Sequence, residues 1–333
     1  MKSKTKSNID SKDIKKIFSH YFTGAEVINI EELKDGCFNI SYLVVLDTGR
    51  EYVLKIAPPD DVELLTYEKD LMITEINFHS LVEHHLRVPV PEIVKFDFTK
   101  NIIPYNYFIM NKLNGFPLDK CEPVTRDQRK SIYKQLAKYL AYMHTIKGEH
   151  FGYESLSEGF IGKNYYDSYK TMFKHIINDA DKKSIKLPVN SEELFNTLDK
   201  YSYAFESIIE PVFVHYDLWD GNIFVSDMDT SPTIEGLIDF ERGFFADPAA
   251  DISQMAGYID LQEDTYFLEE YNKYAKVPFN LGESELIRVK LFRLYVFSIM
   301  VVESYYRDVD GSYDGQLNWA KDEFLKLYSS IEI

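Results

Sequence analysis

Two neighbouring segments decide the fold: VFVHYDLWDGNIFV at 212–225 and GLIDFERGFFADPAAD at 236–251. Short β-branched and aromatic runs alternate with turns here, and the polar residues gather at the turns. His215, Asp217 and Asn222 form an H-x-D-x-x-x-x-N pattern that runs into the apolar Ile223-Phe224-Val225. Ile238-Asp239-Phe240 follows one strand later. A carboxylate, an amide and a second carboxylate on one strand–turn frame suit a Mg²⁺–nucleotide site. Magnesium takes hard oxygen ligands, one or two of them protein carboxylates, and leaves its other positions to phosphates and water.

Upstream, residues 1–10 are polar and read as disordered, and 11–22 read as a helix with Ile14, Ile17, Phe18 and Tyr21 on one face. Three strand-like runs follow at 26–33, 38–46 and 51–56, the last two joined by the turn signal Asp47-Thr48-Gly49-Arg50. Asp35-Gly36-Cys37-Phe38-Asn39 lies between the first two, and one glycine there lets the backbone approach a phosphate. No Walker A sequence occurs. Lys55, in VLKI, reads either as an edge lysine or as a cation held over phosphates with an acidic partner. A helix predicted over 67–83 offers Glu68 and Glu75 for that partner.

Pro89 and Pro91 end that helix, and a strand over 105–110 enters the polar segment Asn111-Lys112-Leu113-Asn114-Gly115, read as a hinge. Residues 126–146 have helical spacing behind the N-cap Thr125, and His144 on that helix reads as a packed structural histidine. Residues 151–190 lack clear periodicity. Their aromatics, Tyr153, Phe160, Tyr165, Tyr166, Tyr169 and Phe173, default to core packing. A helix is predicted over 192–209, and only helices after Asp251.

The 333 residues carry a formal net charge of −17, which argues against a nucleic-acid partner and against an anionic membrane surface. Cys37 and Cys121 are far apart, which points to free thiols in a reducing compartment. The N-terminus has no apolar signal core, and the most apolar segment, 291–302, contains Arg293 and stops at Glu303, so a cytoplasmic location is expected. Residues 246–333 hold sixteen Asp and Glu against eight Lys and Arg, an excess that favours a cationic or polar small-molecule ligand.

In order, the features are β hairpins, a lysine in VLKI, a helix with Glu, a hinge, helices, HYDLWDGN, LIDFE and ADPAAD. Over roughly 25–310 this resembles the aminoglycoside phosphotransferase and choline kinase-like family, small-molecule relatives of the protein kinases. Protein kinases would show H-R-D, D-F-G and A-P-E, whereas Tyr216 and Glu241 stand at the Arg and Gly positions and no A-P-E follows.

The resemblance implies an α+β, two-lobed, protein-kinase-like fold. It consists of an antiparallel β lobe with one helix over 1–110, a hinge over 111–115 and a larger helical lobe over 116–333. It implies an enzyme that moves the γ-phosphoryl of ATP or GTP, with Mg²⁺, to a hydroxyl of a small molecule. An aminoglycoside-type antibiotic is one acceptor class, which would make the chain a resistance factor; an amino alcohol, sugar or amino acid is the other. Asp217 would receive the acceptor proton, and Asn222 and Asp239 would hold the metal. Lys55 would meet the α- and β-phosphates, paired with Glu75 in preference to Glu68. Asn39 and Ser41 would contact phosphate, and the stretch from Asn111 to Leu113 the purine. His215 and Asp251 would support the catalytic loop, with Asp247 in the same trailing D-P-x-x-D pattern.

Overall fold

The computed structural model describes residues 3–34, 36, 38–85, 87–121, 123–154, 161–226, 228 and 231–332. Asp35, Cys37 and Phe160, singled out above, lie outside them. The chain forms two compact units. The first comprises Met1–Leu64, Pro91–Leu113 and Tyr306–Asp314; the second comprises Leu65–Val90, Asn114–Tyr305 and Gly315–Ile333.

The first unit opens with α1 (Ser11–Tyr21), capped by the Asp10 carboxylate, which accepts from the amides of Lys12 and Asp13. Five antiparallel strands follow: β1 (Val27–Leu33), β2 (Ile40–Leu46), β3 (Glu51–Ile56), β4 (Ile93–Asp97) and β5 (Tyr107–Asn111), in the order β1-β2-β3-β5-β4. The two-residue period of a strand sorts their side chains. Ile40, Val44, Leu46, Tyr52, Leu54, Ile56 and Ile109 form a core with Ile14, Ile17 and Phe18 of α1. Ser41 and Lys55, paired across β2 and β3, therefore lie on the other face.

The N-terminal residues differ from the expected disorder. Ser3 bridges to Asp308, the Lys4 amide donates to the Arg307 carbonyl, and the Ser7 hydroxyl donates to the Ala57 carbonyl. Paired backbone holds a polar tail that has little apolar surface to bury.

In the second unit a 3₁₀ turn (Thr66–Glu68) precedes α2 (Leu71–His85), so the expected single helix is broken at Asp70, whose φ is 60°. α2 belongs to this unit rather than with residues 1–110. Its Phe78 stacks on Phe213 at 4.4 Å and packs edge-on against Phe245. Then come β6 (Phe116–Pro117), α3 (Arg126–Met143), α4 (Tyr165–Lys182) and α5 (Ser191–Lys200). A capping box between Thr125 and Gln128 starts α3. α4 went unpredicted because its apolar stripe of Tyr165, Tyr169, Met172, Phe173 and Ile176 is mostly aromatic, although it has helical spacing and is buried. α5 stops at Lys200 instead of running to 209, and a 3₁₀ turn (Ser202–Phe205) follows.

The quoted segments supply β7 (Val212–Val214), β8 (Ile223–Val225), β9 (Ile234–Leu237) and β10 (Phe244–Ala246), in two small antiparallel sheets ordered β10-β7 and β6-β8-β9. Gly115 leads into β6 with φ of 78°, where a Cβ would stand 2.1 Å from the Val225 carbonyl oxygen; only glycine fits there. α6 (Ala249–Met255), α7 (Tyr266–Tyr274), α8 (Glu283–Arg307) and α9 (Asp314–Glu332) complete the chain. The architecture is α+β, with an N-terminal sheet lobe and a helical C-terminal region. Among the described residues no helix is long and apolar enough to cross a membrane.

Candidate active site

β7 delivers the chain into a loop that turns on Tyr216, a non-glycine residue at φ 60°. That conformation costs an L-residue on the order of 1–2 kcal/mol, and the neighbours of Tyr216 hold it in place. Asp251, on α6 and fully buried, accepts from the Tyr216 amide through Oδ1 (2.7 Å) and from the His215 amide through Oδ2 (3.0 Å). The Tyr216 hydroxyl donates to the Phe292 carbonyl of α8 at 2.6 Å. His144, at the end of α3, stands 3.0 Å from Asp251 Oδ2 through Nε2 and 2.8 Å from the Tyr271 hydroxyl through Nδ1. One carboxylate thus fixes the loop backbone to two helices. Asp247 ties β10 to the helices in the same way, accepting from the Tyr165 hydroxyl (2.7 Å) and from Arg288 Nε (2.9 Å).

The loop presents Asp217, whose side chain is 23% exposed. Asn222 Nδ2 donates to the Asp217 carbonyl (2.8 Å) and to its Oδ2 (3.1 Å). With Nδ2 committed, the amide oxygen of Asn222 is the atom that could serve a cation. His215 Nδ1 accepts from the Asp217 amide (3.3 Å), and Nε2 lies 3.0 Å from the Ile238 carbonyl. Both ring nitrogens are spent on backbone, so His215 braces the loop. Burial pushes the Asp217 carboxyl above the usual carboxylate range; Asp239 and Glu303 add to this, while Arg242 and His215 oppose it.

Asp239 follows β9 at φ 69°, in the left-handed region like Tyr216. It shares a cluster with Glu75 of α2 and Glu241: one carboxylate oxygen from each lies within 4.8 Å of the others, and both glutamates are buried. Hard anionic oxygens at that spacing fit a divalent cation such as Mg²⁺, which would offset their mutual repulsion. The Ile238 amide donates to the Asn222 carbonyl at 3.1 Å, so the two metal-ligand candidates of the sequence sit on adjoining backbone.

Glu68 turns its carboxylate to the Leu65 amide at 2.9 Å, closing its own 3₁₀ turn. Lys55 belongs to the first unit and Glu75 to the second. In the first unit, Lys55 and Asn39 are buried, and a Cβ on Gly36 would come within 3.3 Å of the Asn39 carbonyl oxygen. The amides of Asn111 and Lys112 donate to the Glu92 and Glu51 carbonyls, so neither N–H is available to a purine edge.

Sequence reasoning missed Arg242, Glu303, Asp220 and Arg129. Arg129 and the Tyr133 hydroxyl (2.9 Å) both bond to buried Asp220, within the loop that follows β7. Arg242 had a signal in its place directly after Ile238-Asp239-Phe240-Glu241. Glu303 had one as a lone carboxylate ending an apolar run.

The model of the phosphotransferase enzyme family matches residues 29–286. The chain belongs to the phosphotransferase enzyme family. It is a small-molecule kinase. Solved structures agree in fold. The APH(2″)-IIa ternary complex with streptomycin and ATP is 16% identical, covering 96% of this chain and 97% of that one at a TM-score of 0.61. APH(4)-Ia with AMP-PNP and hygromycin B is 16% identical over 96% and 99%, at 0.63. A protein assigned as a fructosamine-3-kinase from Thermobifida fusca is 18% identical over 96% and 100%, also at 0.63. No curated protein matches the sequence.

Proposed function

We propose that the chain transfers the γ-phosphoryl of ATP to a hydroxyl of a small cationic molecule, with Asp217 as the group that receives the hydroxyl proton. The observation that carries this is the partly exposed Asp217 carboxylate, fixed by Asn222 beside the Glu75–Asp239–Glu241 cluster. Asn222 and Asp239 would hold Mg²⁺, with Glu75 and Glu241 completing the anionic surround. When bound, the ion neutralises phosphate charge; the residues do the rest by positioning, the main requirement of phosphoryl transfer. On the first unit, Lys55 is assigned to nucleotide phosphate, with Asn39 and Ser41 beside the phosphate turn and Asn111 and Leu113 toward the base. GTP is the alternative donor. His215 and Asp251 are assigned to support.

Two features favour a cationic acceptor. Residues 246–333 have twice as many acidic as basic side chains. Trp219, two residues after Asp217, is 43% exposed, and its ring packs on Gly221, where a Cβ would sit 2.2 Å from Cη2. Tyr258, 42% exposed, feels the charges of Asp220 and Asp217. Flat aromatic faces beside carboxylates suit an ammonium group. That chemistry belongs equally to an aminoglycoside and to an amino alcohol or amino sugar of metabolism. The related complexes with streptomycin and hygromycin B support the first, and the fructosamine-3-kinase likeness the second. No nucleic-acid or membrane partner is proposed, and the proposed location is the cytoplasm.

The test is ADP release from Mg·ATP across a panel of kanamycin, streptomycin, hygromycin B, choline, ethanolamine and fructosyl-lysine. Acceptor-dependent release with at least one cationic member is expected. Tight Mg·ATP binding without turnover of any member or of water would overturn the reading.

A further inference from the structure

Arg242 ends the 3₁₀ turn after Asp239, and only 12% of its side chain is exposed. Its guanidinium has two acidic neighbours at different ranges. Nη2 donates to Glu303 Oε2 at 2.9 Å, whereas Nε stays 3.9 Å from Asp217 Oδ1, within ion-pair range but beyond a hydrogen bond. Glu303, buried on α8, is anchored in turn: Gln316 Nε2 of α9 donates to its Oε1 at 2.9 Å. The other Asp217 oxygen, Oδ2, accepts from Asn222.

We propose that Arg242 is a positioning residue for phosphoryl transfer, held back by Glu303 so that it supports the Asp217 charge while leaving Oδ1 open to the acceptor hydroxyl. This rests on the kinase reading above. An arginine beside a carboxylate ordinarily closes on it with two parallel N–H···O bonds. Here that closure would occupy the oxygen that must meet the substrate. Glu303 competes for the guanidinium, and Gln316 keeps Glu303 from following it. The charged groups bearing on Asp217 are Arg242, Asp239, His215 and Glu303, and of these Arg242 carries the permanent positive charge. Tyr67, Glu303, Asp217 and Glu241 keep it protonated against the cost of burial. Without it, Asp217 would lose the permanent cation that stands 3.9 Å from its Oδ1.

The test uses the full chain with Mg·ATP, alone and with the panel acceptor that gives the fastest ADP release. Glu303→Gln keeps the size of the side chain but weakens the hold on Arg242. It is expected to lower kcat about tenfold with KM for ATP within about twofold. Its crystal structure should show the guanidinium moved into hydrogen-bond contact with Asp217. Arg242→Lys, unable to serve both partners, should lower kcat by a similar factor. Adding Glu303→Gln to it should cost little more, because the two act through one contact. Gln316→Ala, more conservative for folding, should lower kcat about threefold on the same logic.

The proposal is overturned if the folded variants keep kcat within about twofold of wild type, or if KM for ATP rises while kcat holds. An unmoved guanidinium in Glu303→Gln also overturns it. A wild-type chain that releases ADP to no acceptor of the panel and not to water removes the kinase reading, and this inference with it. An active wild type with unaffected variants removes this inference alone.

Discussion

Asp251 gathers three contacts of the loop and its support on one side chain. Two backbone N–H groups and His144 share one buried carboxylate, and the N–H donors belong to His215 and to Tyr216 in its strained conformation. An amide can accept at one atom only, so Asp251→Asn leaves a buried donor without a partner. Removal of such a charged hub costs roughly 2–4 kcal/mol. The expected outcome is a fall of that size in denaturant unfolding free energy. A further drop in kcat of about tenfold is expected as Asp217 loses its fixed position. Unchanged stability would show that the loop is held by other contacts.

At the same scale, the pattern His215, Asp217, Asn222 and Asp239 was visible because its members stand close in sequence with turn signals between them. Glu303 was hidden for the opposite reason. It meets Arg242 only after α8 has been folded back, and no local period reports a contact across that distance. The resemblance favoured Glu75 over Glu68 as the acidic partner of Lys55, although both are glutamates of one predicted helix. They separate in the structure because Glu68 closes its own turn while Glu75 lies beside Asp239.

At the scale of elements, the amphipathic pattern was readable where one face was apolar and the other charged, as in α1 and α3. It failed in α4, where tyrosines carry the buried stripe, and at Asp70, where a single left-handed residue splits a helix that composition alone would continue.

Strand β4 yields a prediction with a sign. Asp97, at its end, accepts from the Thr99 amide and hydroxyl, both at 2.7 Å, and from the Tyr107 hydroxyl of β5 at 3.3 Å. Burial pushes this carboxyl upward, but the Thr99 and Tyr107 hydrogen bonds and His20 outweigh it and hold it below its ordinary value. A carboxyl depressed in the folded state adds stability above its unfolded pKa of about 4 and loses it as pH falls through the lower folded value. Asp97→Asn should therefore destabilise the chain at pH 7 by about 1 kcal/mol. It should also flatten the decline of stability below about pH 4. An equal loss at pH 7 and pH 3 would mean that the charge of Asp97 does not matter.

At the scale of the whole molecule, the order of strands, lysine, acidic helix and H-x-D-x-x-x-x-N loop identified the architecture, because each step is a local pattern in a fixed sequence. Division into units was less legible. α2 sits between strands of the first unit in the chain, yet its apolar side chains, Phe78 foremost, find their partners on the short strands of the second. The acceptor was not legible at all, since an acidic, aromatic surface specifies a charge and a shape but no single molecule.

The central claim is that Asp217 receives the proton of an acceptor hydroxyl as phosphate is transferred to it. Single-turnover phosphorylation of the best acceptor, compared between wild type and Asp217→Ala with Mg·ATP affinity measured on both, tests it most directly. The rate should fall at least ~10²-fold in the variant while Mg·ATP binding persists. A variant that phosphorylates the acceptor at near wild-type rate would contradict it.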